Sequence, residues 1–118
     1  MAEKRVLVVD DDADIRVNIK DILDDLGHHT DTACDGPEAL RLAGDQHYDM
    51  VLLDHQMPGM DGTTLHGELQ KIQPTIVSVM ITAHAGSTGA KRALGLGVVR
   101  VLCKPVDLNE LLHLVDES

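Results

Sequence analysis

Short apolar runs alternate with amphipathic segments along the whole chain. The runs are four to six residues long and rich in Leu and β-branched residues. Near-continuous apolar runs of this length are typical of strands buried on both faces of a sheet, whereas an alternating run indicates a more exposed strand. We therefore predict five strands, of which the second is the alternating one: Val6–Val9, His29–Ala33, Met50–Leu53, Ile76–Ile81 and Val98–Leu102.

The segments between these runs repeat apolar residues at helical spacing. Gly27 is a stop signal for the first helix, Pro37 suits the first turn of the second, and Asp107 is a cap for the last. Five alternations of strand and helix predict an α/β fold with a parallel sheet covered by helices on both faces. The apolar residues at helical spacing are Ile15, Ile19, Ile22, Leu23 and Leu26, then Leu40 and Ala43, which we expect to face inward, then Leu65, Leu69 and Ile72, then Ala90, Ala93 and Leu94, and finally Leu108, Leu111, Leu112 and Val115.

The length of 118 residues predicts a single domain over residues 1–118. A chain of this size buries roughly two-thirds of its surface on folding, which is enough for a core without metal or disulfide support. No segment has the pattern of a signal peptide or the length of a membrane span, so we expect a cytoplasmic protein. Cys34 and Cys103 have no metal-binding spacing, and we expect them to be buried, reduced thiols.

The charge balance narrows the class of partner. Twenty acidic residues against ten Lys and Arg give a formal charge of −10, which disfavours direct binding to nucleic acid or to an anionic membrane. Residues 1–35 alone hold ten of the acids and four of the bases. A cation, or a partner with a basic face, is therefore the natural complement of this region.

Polar residues with chemical potential follow the predicted strands. Asp10, Asp11 and Asp12 come after the first strand, and Asp54 comes after the third. In open α/β sheets, ligands bind beyond the carboxyl ends of the strands. Carboxylates gathered at that edge repel one another unless a cation joins them, and Mg²⁺ suits a site of carboxylate oxygens. Thr82 and Lys104, after the fourth and fifth strands, would lie at the same edge.

Four motifs together resemble the receiver domain of two-component response regulators. They are VLVVDDD (6–12), VLLDHQMPGMDG (51–62), ITA (81–83) and KP (104–105), and the resemblance covers essentially the whole chain. It implies a flavodoxin-like, doubly wound, five-stranded parallel sheet of order 2-1-3-4-5 with five helices. It also implies that the Lys104–Pro105 peptide bond is cis.

The resemblance further implies a phosphoacceptor site. Asp54 would take a phosphoryl group from a phosphohistidine on a sensor histidine kinase or phosphotransfer protein, with Lys104 and Thr82 holding the phosphoryl oxygens. Such a domain catalyses only its own phosphoryl uptake and autodephosphorylation, so it is not an enzyme acting on a free substrate. The implied Mg²⁺ ligands are Asp10 (mostly through water), Asp11, Asp54 and the backbone carbonyl of Gln56.

A switching surface is implied as well. Phosphorylation would draw Thr82 inward and change the face formed by the fourth helix, fifth strand and fifth helix, to which an unidentified output partner or a second copy of the chain would bind. The family usually has an aromatic residue where this chain has Val101, so we expect loop and backbone movement instead. Gln56 and His84 either tune the lifetime of the phosphoryl group or only line the rim of the site.

Two other functions remain open from the sequence. A small Mg²⁺-dependent phosphohydrolase would use Asp10 and Asp12 as nucleophile and acid, but it would leave Asp54 and Thr82 without a role. A phosphorylation-independent scaffold would bind partners without chemistry. We expect Asp61 and Gly62 to form only the turn and cap of the third helix. The remaining histidines are interpreted as incidental surface residues: His28, His29, His47, His66 and His113.

Overall fold

Strands and helices alternate strictly in the computed structural model, which describes residues 3–55, 57, 59–83 and 88–117. None of the described helices has the length and apolar content needed to cross a bilayer. The strands are β1 (Arg5–Val9), β2 (His29–Ala33), β3 (Met50–Asp54), β4 (Val77–Thr82) and β5 (Arg100–Cys103). The helices are α1 (Ala13–Asp25), α2 (Gly36–Asp45), α3 (Gly62–Ile72), α4 (Thr88–Gly95) and α5 (Leu108–Glu117).

The five strands form one parallel sheet in the order β2-β1-β3-β4-β5, with β1, β3 and β4 in the interior. This confirms the predicted flavodoxin-like topology. In the register of the ladder, Asp54 pairs with Ile81, and Thr82 pairs with Cys103. The ends of β3, β4 and β5 therefore lie side by side at one edge of the sheet.

Side chains of the central strands alternate between two core layers. Val6 and Val8 pack toward Leu23 of α1 and Leu111 of α5. Their neighbours on β1 face a second layer under α2 and α3, and a small third cluster of Met80, Ala93 and Val98 lies under α4. Because neither Phe nor Trp occurs, aliphatic and methionine side chains fill both layers, joined by Tyr48 in the layer under α2 and α3.

Four helices begin at an aspartate whose carboxylate accepts a backbone N–H of the first turn. The distances to the accepting Oδ1 atoms are 2.8–2.9 Å. Such caps satisfy amide groups that have no partner within the helix. The predicted caps of α3 and α5 are thereby confirmed, and the four residues are Asp12, Asp35, Asp61 and Asp107.

Two strands begin later than the sequence predicted. β4 starts at Val77, because the amide of Ile76 donates to the carbonyl of Gln73 in the preceding turn. β5 starts at Arg100, because the amide of Val98 donates to Ala93 and so closes the end of α4. Ile76 and Val98 are buried nevertheless, so their apolar character reflects packing and not pairing.

Tyr48 lies fully buried just before β3, at the edge of the sheet where the strands begin. Its hydroxyl donates to Oδ2 of Asp31 at 2.6 Å, and its backbone amide donates to Oε1 of Gln73 at 2.9 Å. Burial and the neighbouring Asp31 carboxylate raise the pKa of the phenol. Tyr48 is the chain's single aromatic residue of the Phe, Trp and Tyr class.

The expected placement of the cysteines was wrong. Cys34 and Cys103 are both exposed; Cys34 directly follows β2 and Cys103 ends β5, the two edge strands of the sheet. The expectation that two of the histidines are surface residues was also wrong. His28 is buried, with Nδ1 accepting from the amide of Lys4 at 3.1 Å.

His66 is the second buried histidine, and it connects three elements. Its Nδ1 lies 2.7 Å from Oγ of Ser78 on β4, and its Nε2 lies 3.0 Å from the carbonyl oxygen of Leu96, just after α4. Because a carbonyl oxygen can only accept, Nε2 carries the proton and Nδ1 accepts from the Ser78 hydroxyl. The side chain thus joins α3, β4 and the end of α4 by hydrogen bonds.

Candidate functional site

Three carboxylates meet where β1 and β3 end. Asp10 follows β1 directly, Asp11 follows Asp10, and Asp54 is the last residue of β3. One oxygen of each lies within 4.8 Å of one oxygen of the other two. Asp10 and Asp54 are buried, whereas Asp11 is exposed. The predicted convergence of these side chains is therefore observed, and the cluster is open to solvent on the Asp11 side.

Lys104 provides a positive charge to the cluster. Its Nζ lies 3.3 Å from Oδ1 of Asp54 and 3.6 Å from Oδ2 of Asp10. The backbone amide of Lys104 donates to the carbonyl of Thr82 at 2.8 Å, and the bond to Pro105 is cis, as expected. Lys104 thus reaches across from the edge strand to the two buried carboxylates, as its long side chain allows.

Asp10 has a pKa well above the ordinary value of an aspartate. Its pKa is raised to about 6, mainly by burial and also by the negative charge of Asp54, against the opposing effects of the Asp12 amide and of Lys104. Oδ1 of Asp10 accepts from the amide of Asp12 at 2.9 Å. Its Oδ2 is buried and accepts no hydrogen bond from the described residues. The Lys104 ammonium nitrogen lies 3.6 Å from this oxygen, and its effect on the pKa of Asp10 is smaller than that of the Asp54 carboxylate.

The pKa of Lys104 responds to the same environment in the opposite sense. Burial by itself lowers the pKa, but the carboxylates of Asp10 and Asp54 outweigh that effect, and the pKa is raised overall. The ammonium group therefore stays charged at neutral pH. One lysine does not balance three carboxylates, so the site keeps a net negative charge.

The donor set fits a hard divalent cation such as Mg²⁺. Its side-chain ligand atoms are carboxylate oxygens, the type that Mg²⁺ prefers. The buried Oδ2 of Asp10, which accepts no hydrogen bond from the described residues, is an atom that a cation would satisfy. Gln56, whose backbone carbonyl was predicted as a further ligand, lies outside the described residues, as does His84.

Thr82 and Val101 flank the site on the next two strands. Thr82 is the last residue of β4 and is buried one strand away from Asp54. Val101 on β5 is partly buried and packs against the cluster of Met80, Ala93 and Val98. At this position, where the resemblance would imply an aromatic ring, the chain thus has a small aliphatic side chain that packs under α4.

Gly62 is a site-adjacent residue whose packing role the sequence did not reveal. A Cβ atom there would lie 2.8 Å from the carbonyl oxygen of Asp54 and 3.1 Å from Cα of His55. The amide of Gly62 also donates to the carbonyl of His55 at 3.0 Å. The Asp-Gly pair suggested a turn, but the close backbone approach depends on the fold.

The carboxylate of Asp12 has a structural role outside the carboxylate cluster. Its Oδ1 accepts from the amides of Asp14 and Ile15 and so caps α1, and Asp12 does not belong to the carboxylate cluster found among the described residues. Arg16 on the same helix donates from Nη1 to the carbonyl of Asp10 at 2.5 Å. The arrangement gives no support to a nucleophile and acid pair made of Asp10 and Asp12.

An apolar groove begins beside the carboxylate cluster. Its volume is about 440 Å³, and it runs between α1 and the segment that joins β5 to α5. Lys104 belongs both to this groove and to the cluster. The other residues that define the groove include Ile15, Asn18, Ile22, Pro105 and Leu108.

Comparison with known proteins gives a consistent result. The family model for the response regulator receiver domain matches residues 6–116. A response regulator receiver protein of Anaeromyxobacter sp. (strain Fw109-5) is 39% identical over 111 residues, covering 94% of this chain and 47% of the relative. Sporulation initiation phosphotransferase F of Bacillus subtilis (strain 168) is 30% identical over 111 residues, covering 94% of this chain and 90% of that protein.

Solved structures agree with the sequence matches. The crystal structure of a CheY-like response regulator receiver domain protein from Methanospirillum hungatei JF-1 superposes with a TM-score of 0.92 at 30% identity. The match covers 98% of this chain and 93% of that one. The chain spans about half or less of the length of most curated relatives it matches.

Proposed function

The chain belongs to the response regulator receiver domain family, the phosphoacceptors of two-component signalling, and we propose that Asp54 is the residue that receives the phosphoryl group. The observation that carries this assignment is the position of the Asp54 carboxylate. It is buried at the end of β3, within 4.8 Å of two further carboxylates and 3.3 Å from the Lys104 ammonium nitrogen. On this proposal, residues 1–118 function as one receiver domain.

In the proposed reaction, a carboxylate oxygen of Asp54 attacks the phosphorus of a phosphohistidine on the donor. The P–O bond forms as the P–N bond breaks, the electron pair of the P–N bond passes to the imidazole nitrogen, and that nitrogen takes up a proton from water. Lys104 and Thr82 then hold phosphoryl oxygens, the former with its ammonium group and the latter with its hydroxyl. A Mg²⁺ ion held by Asp10, Asp11, Asp54 and the carbonyl of Gln56 would supply neutralisation of the phosphoryl charge.

The phosphoryl donor that we propose is a sensor histidine kinase or a phosphotransfer protein. The apolar groove along α1 supports docking of such a donor, because it borders Lys104 and so lies beside Asp54. Slow hydrolysis of the phosphoaspartate would return the domain to its starting state, with Gln56 and His84 as candidates for setting its lifetime.

The proposed output is a change in the face formed by α4, β5 and α5. A phosphoryl group adds about −1.5 to −2 charges at neutral pH, which attracts Thr82 and Lys104 toward it. The contacts under α4 are made by Val101 and the small cluster of Met80, Ala93 and Val98, so few large side chains hold this helix against the sheet. Binding of the output partner would depend on the resulting shift of α4 and its preceding loop. A second copy of this chain is one candidate for that partner.

Intact mass spectrometry after incubation with Mg²⁺ and acetyl phosphate tests the assignment. We expect the wild-type protein to gain one phosphoryl group and Asp54→Asn to gain none. Asp12→Asn is the matched control, because Asn also caps helices well and Asp12 lies outside the carboxylate cluster. Uptake by Asp54→Asn equal to that of the wild type would refute the proposal.

The two other functions predict different results in two further experiments. A phosphohydrolase would release inorganic phosphate from phosphate esters in repeated turnovers and would lose that activity in both Asp10→Asn and Asp12→Asn. A scaffold would bind its partner with the same affinity in the presence and absence of beryllofluoride with Mg²⁺. The capping role of Asp12 favours the receiver reading over the first of these.

A further inference from the structure

His55 directly follows Asp54, and its backbone is held from two sides. Its amide donates to the carbonyl of Ile81 at 2.9 Å, so the pairing of β3 with β4 continues one residue beyond the end of β3. Its carbonyl accepts from the amide of Gly62, the first residue of α3, at 3.0 Å. The main chain just after Asp54 is therefore joined by hydrogen bonds both to β4 and to α3.

The side chains of Asp54 and His55 point to opposite faces of the sheet, as those of successive residues in a strand do. The Asp54 carboxylate faces Lys104, with 3.3 Å between Oδ1 and Nζ. The His55 side chain instead borders a small cavity of about 210 Å³, together with Asp61 at the start of α3 and Arg92 on α4. The imidazole thus lies between α3 and α4 and away from the carboxylate cluster.

The imidazole of His55 packs closely against the first turn of α4. A Cβ atom on Gly89, the second residue of α4, would lie 2.7 Å from Nε2 and 3.3 Å from Cε1 of the ring. Glycine is unfavourable within a helix because it loses more conformational freedom on folding than other residues do. At this position, its lack of a side chain allows the ring to approach the helix backbone. His55 therefore connects the end of β3 directly to α4.

The other contacts of α4 with the sheet are small. Among the described residues of this helix, the fully buried side chains are those of Ala90 and Ala93. Val101, where the resemblance would imply an aromatic ring, adds a short aliphatic side chain. Nδ1 of His55 is buried and has no hydrogen-bond partner among the described residues, so packing and not a bond at this nitrogen positions the ring. The imidazole is thus a large planar contact at the start of α4.

We propose that His55 is a positioning residue that couples Asp54 to α4, in place of the aromatic side chain that Val101 does not provide. This coupling rests on the proposed phosphorylation of Asp54. As the main chain at the end of β3 adjusts to a phosphoryl group, the attached imidazole moves with it. The first turn of α4 at Gly89 then follows, because close-packed groups transmit a displacement to their neighbours. Chains of packed groups of this kind carry energetic coupling between separated sites.

A suppression experiment tests the contact in the metal-free protein. Gly89→Ala should lower the urea midpoint of the otherwise wild-type protein, because the new methyl group meets the imidazole. In the His55→Ala background the same substitution should raise the midpoint, because alanine favours a helix more than glycine does. Gly95→Ala is the matched control on α4, since a Cβ atom there meets nothing within 4 Å, and its effect should be the same in both backgrounds. Equal effects of Gly89→Ala in the two backgrounds would overturn the proposal.

Beryllofluoride with Mg²⁺, which takes the place of the phosphoryl group, tests the coupling itself. Hydrogen exchange of α4, followed by mass spectrometry, should change when this complex is added to the wild type and to the matched control Val101→Ala. It should stay unchanged in His55→Ala. Because coupling is reciprocal, Gly89→Ala should alter the affinity for beryllofluoride by about fivefold when His55 is present and by less than about twofold when it is absent. A contact that only stabilised the fold would leave this affinity unchanged in both backgrounds.

Binding of beryllofluoride, measured by fluorine NMR, separates failure of the coupling from failure of the proposed function. We expect His55→Ala to bind within about twofold of the wild-type affinity, because its side chain lies away from the carboxylate cluster. An α4 response that survived in His55→Ala would refute the coupling and leave the phosphoacceptor function standing. Loss of the response in Val101→Ala as well would refute the particular role of His55. A wild type that bound no beryllofluoride would refute the phosphoacceptor function and the coupling together.

Discussion

Cα of Gly62 faces the backbone carbonyl of Asp54 so closely that a Cβ atom on the glycine would lie 2.8 Å from that oxygen. The opposing atoms are backbone, which cannot move aside as a flexible side chain would. The start of α3 is therefore packed directly against the last residue of β3, and it supports the main chain of the proposed nucleophile from one side.

Gly62→Ala should accordingly destabilise the protein and disturb the site. We expect a loss of about 1–3 kcal/mol in the free energy of unfolding, the usual cost of inserting a methyl group into a filled space. The same variant should take up phosphoryl from acetyl phosphate more slowly, because the backbone of Asp54 must shift. Urea unfolding and intact mass spectrometry measure the two effects.

Gly67→Ala is the matched control within the same helix. A Cβ atom at Gly67 meets nothing within 4 Å, so alanine there should stabilise α3 by about 0.5–1 kcal/mol through its higher helix propensity. Equal effects of the two substitutions would contradict the close approach between Gly62 and Asp54.

Asp10→Asn should stabilise the metal-free protein at neutral pH. The pKa of Asp10 is about 6 in the folded protein against an ordinary value of 3.8, so the folded state binds more protons than the unfolded state between these values. Stability of the metal-free wild type should therefore fall as the pH rises from about 4 to 6 and then level off. Removing the ionisable group should recover about 1–3 kcal/mol at pH 7 and little at pH 4.

Urea unfolding at both pH values, with and without Mg²⁺, measures this effect. Mg²⁺ should stabilise the wild type at neutral pH more than it stabilises Asp10→Asn, because a ligand that binds the folded state adds to its stability. The Asp10→Asn variant provides the correction for the remaining carboxylates. If the corrected stability of the metal-free wild type rose between pH 4 and 6, the pKa of Asp10 would not be raised in the folded protein.

The contribution of Asp61 to the stability of the folded protein should depend on pH in the opposite sense. The amide of Thr64, which Asp61 caps, lowers the pKa of Asp61 below its ordinary value. The stabilising effect is present above the ordinary pKa and is lost as the pH falls through the lowered value. Asp61→Ala should cost about 1 kcal/mol at pH 7.

Asp61→Asn provides the control, because Asn caps helices about as well and does not ionise. Its stability relative to the wild type should be nearly unchanged at pH 7. Thermal unfolding monitored from pH 2 to 7 compares the three proteins. An Asp61→Ala penalty that remained constant over this range would exclude a charge-dependent cap.

The hydrogen bonds of His66 should be coupled energetically. His66→Leu leaves the buried Ser78 hydroxyl and the Leu96 carbonyl without this partner, and each such loss costs about 1–3 kcal/mol. Ser78→Ala should cost less, since the imidazole keeps its bond to Leu96. In a double-mutant cycle measured by urea unfolding, the two changes should fall short of additivity by about 1 kcal/mol. Strict additivity would mean that the imidazole and the hydroxyl do not interact.

The fold followed largely from local pattern. Apolar runs located all five strands, and Asp61 and Asp107 marked helix starts that the structure confirms. The pattern could not separate pairing from packing, which is why Ile76 and Val98 were assigned to strands although both amides close turns. The strand order came from resemblance and not from the pattern.

The residues of the candidate site could be predicted from the sequence for a related reason. Asp10 and Lys104 directly follow strands and Asp54 ends one, and parallel strands bring such residues to one edge of the sheet. The burial of His66 was not visible, because its partners Ser78 and Leu96 are 12 and 30 residues away and carry no signature of their own. Polar burial of this kind is decided by contacts that exist only after folding.

Tyr48 gives the protein a natural optical probe at one place only. Since Trp and Phe are absent, near-ultraviolet absorption and emission come essentially from this buried phenol. It precedes Asp54 by six residues along a strand, or roughly 20 Å, and it is bonded to Asp31 and not to the acidic cluster. Its signal should therefore report global unfolding but not the binding of ions or phosphorylation at the acidic cluster. A tryptophan introduced near α4 would be needed to detect those events.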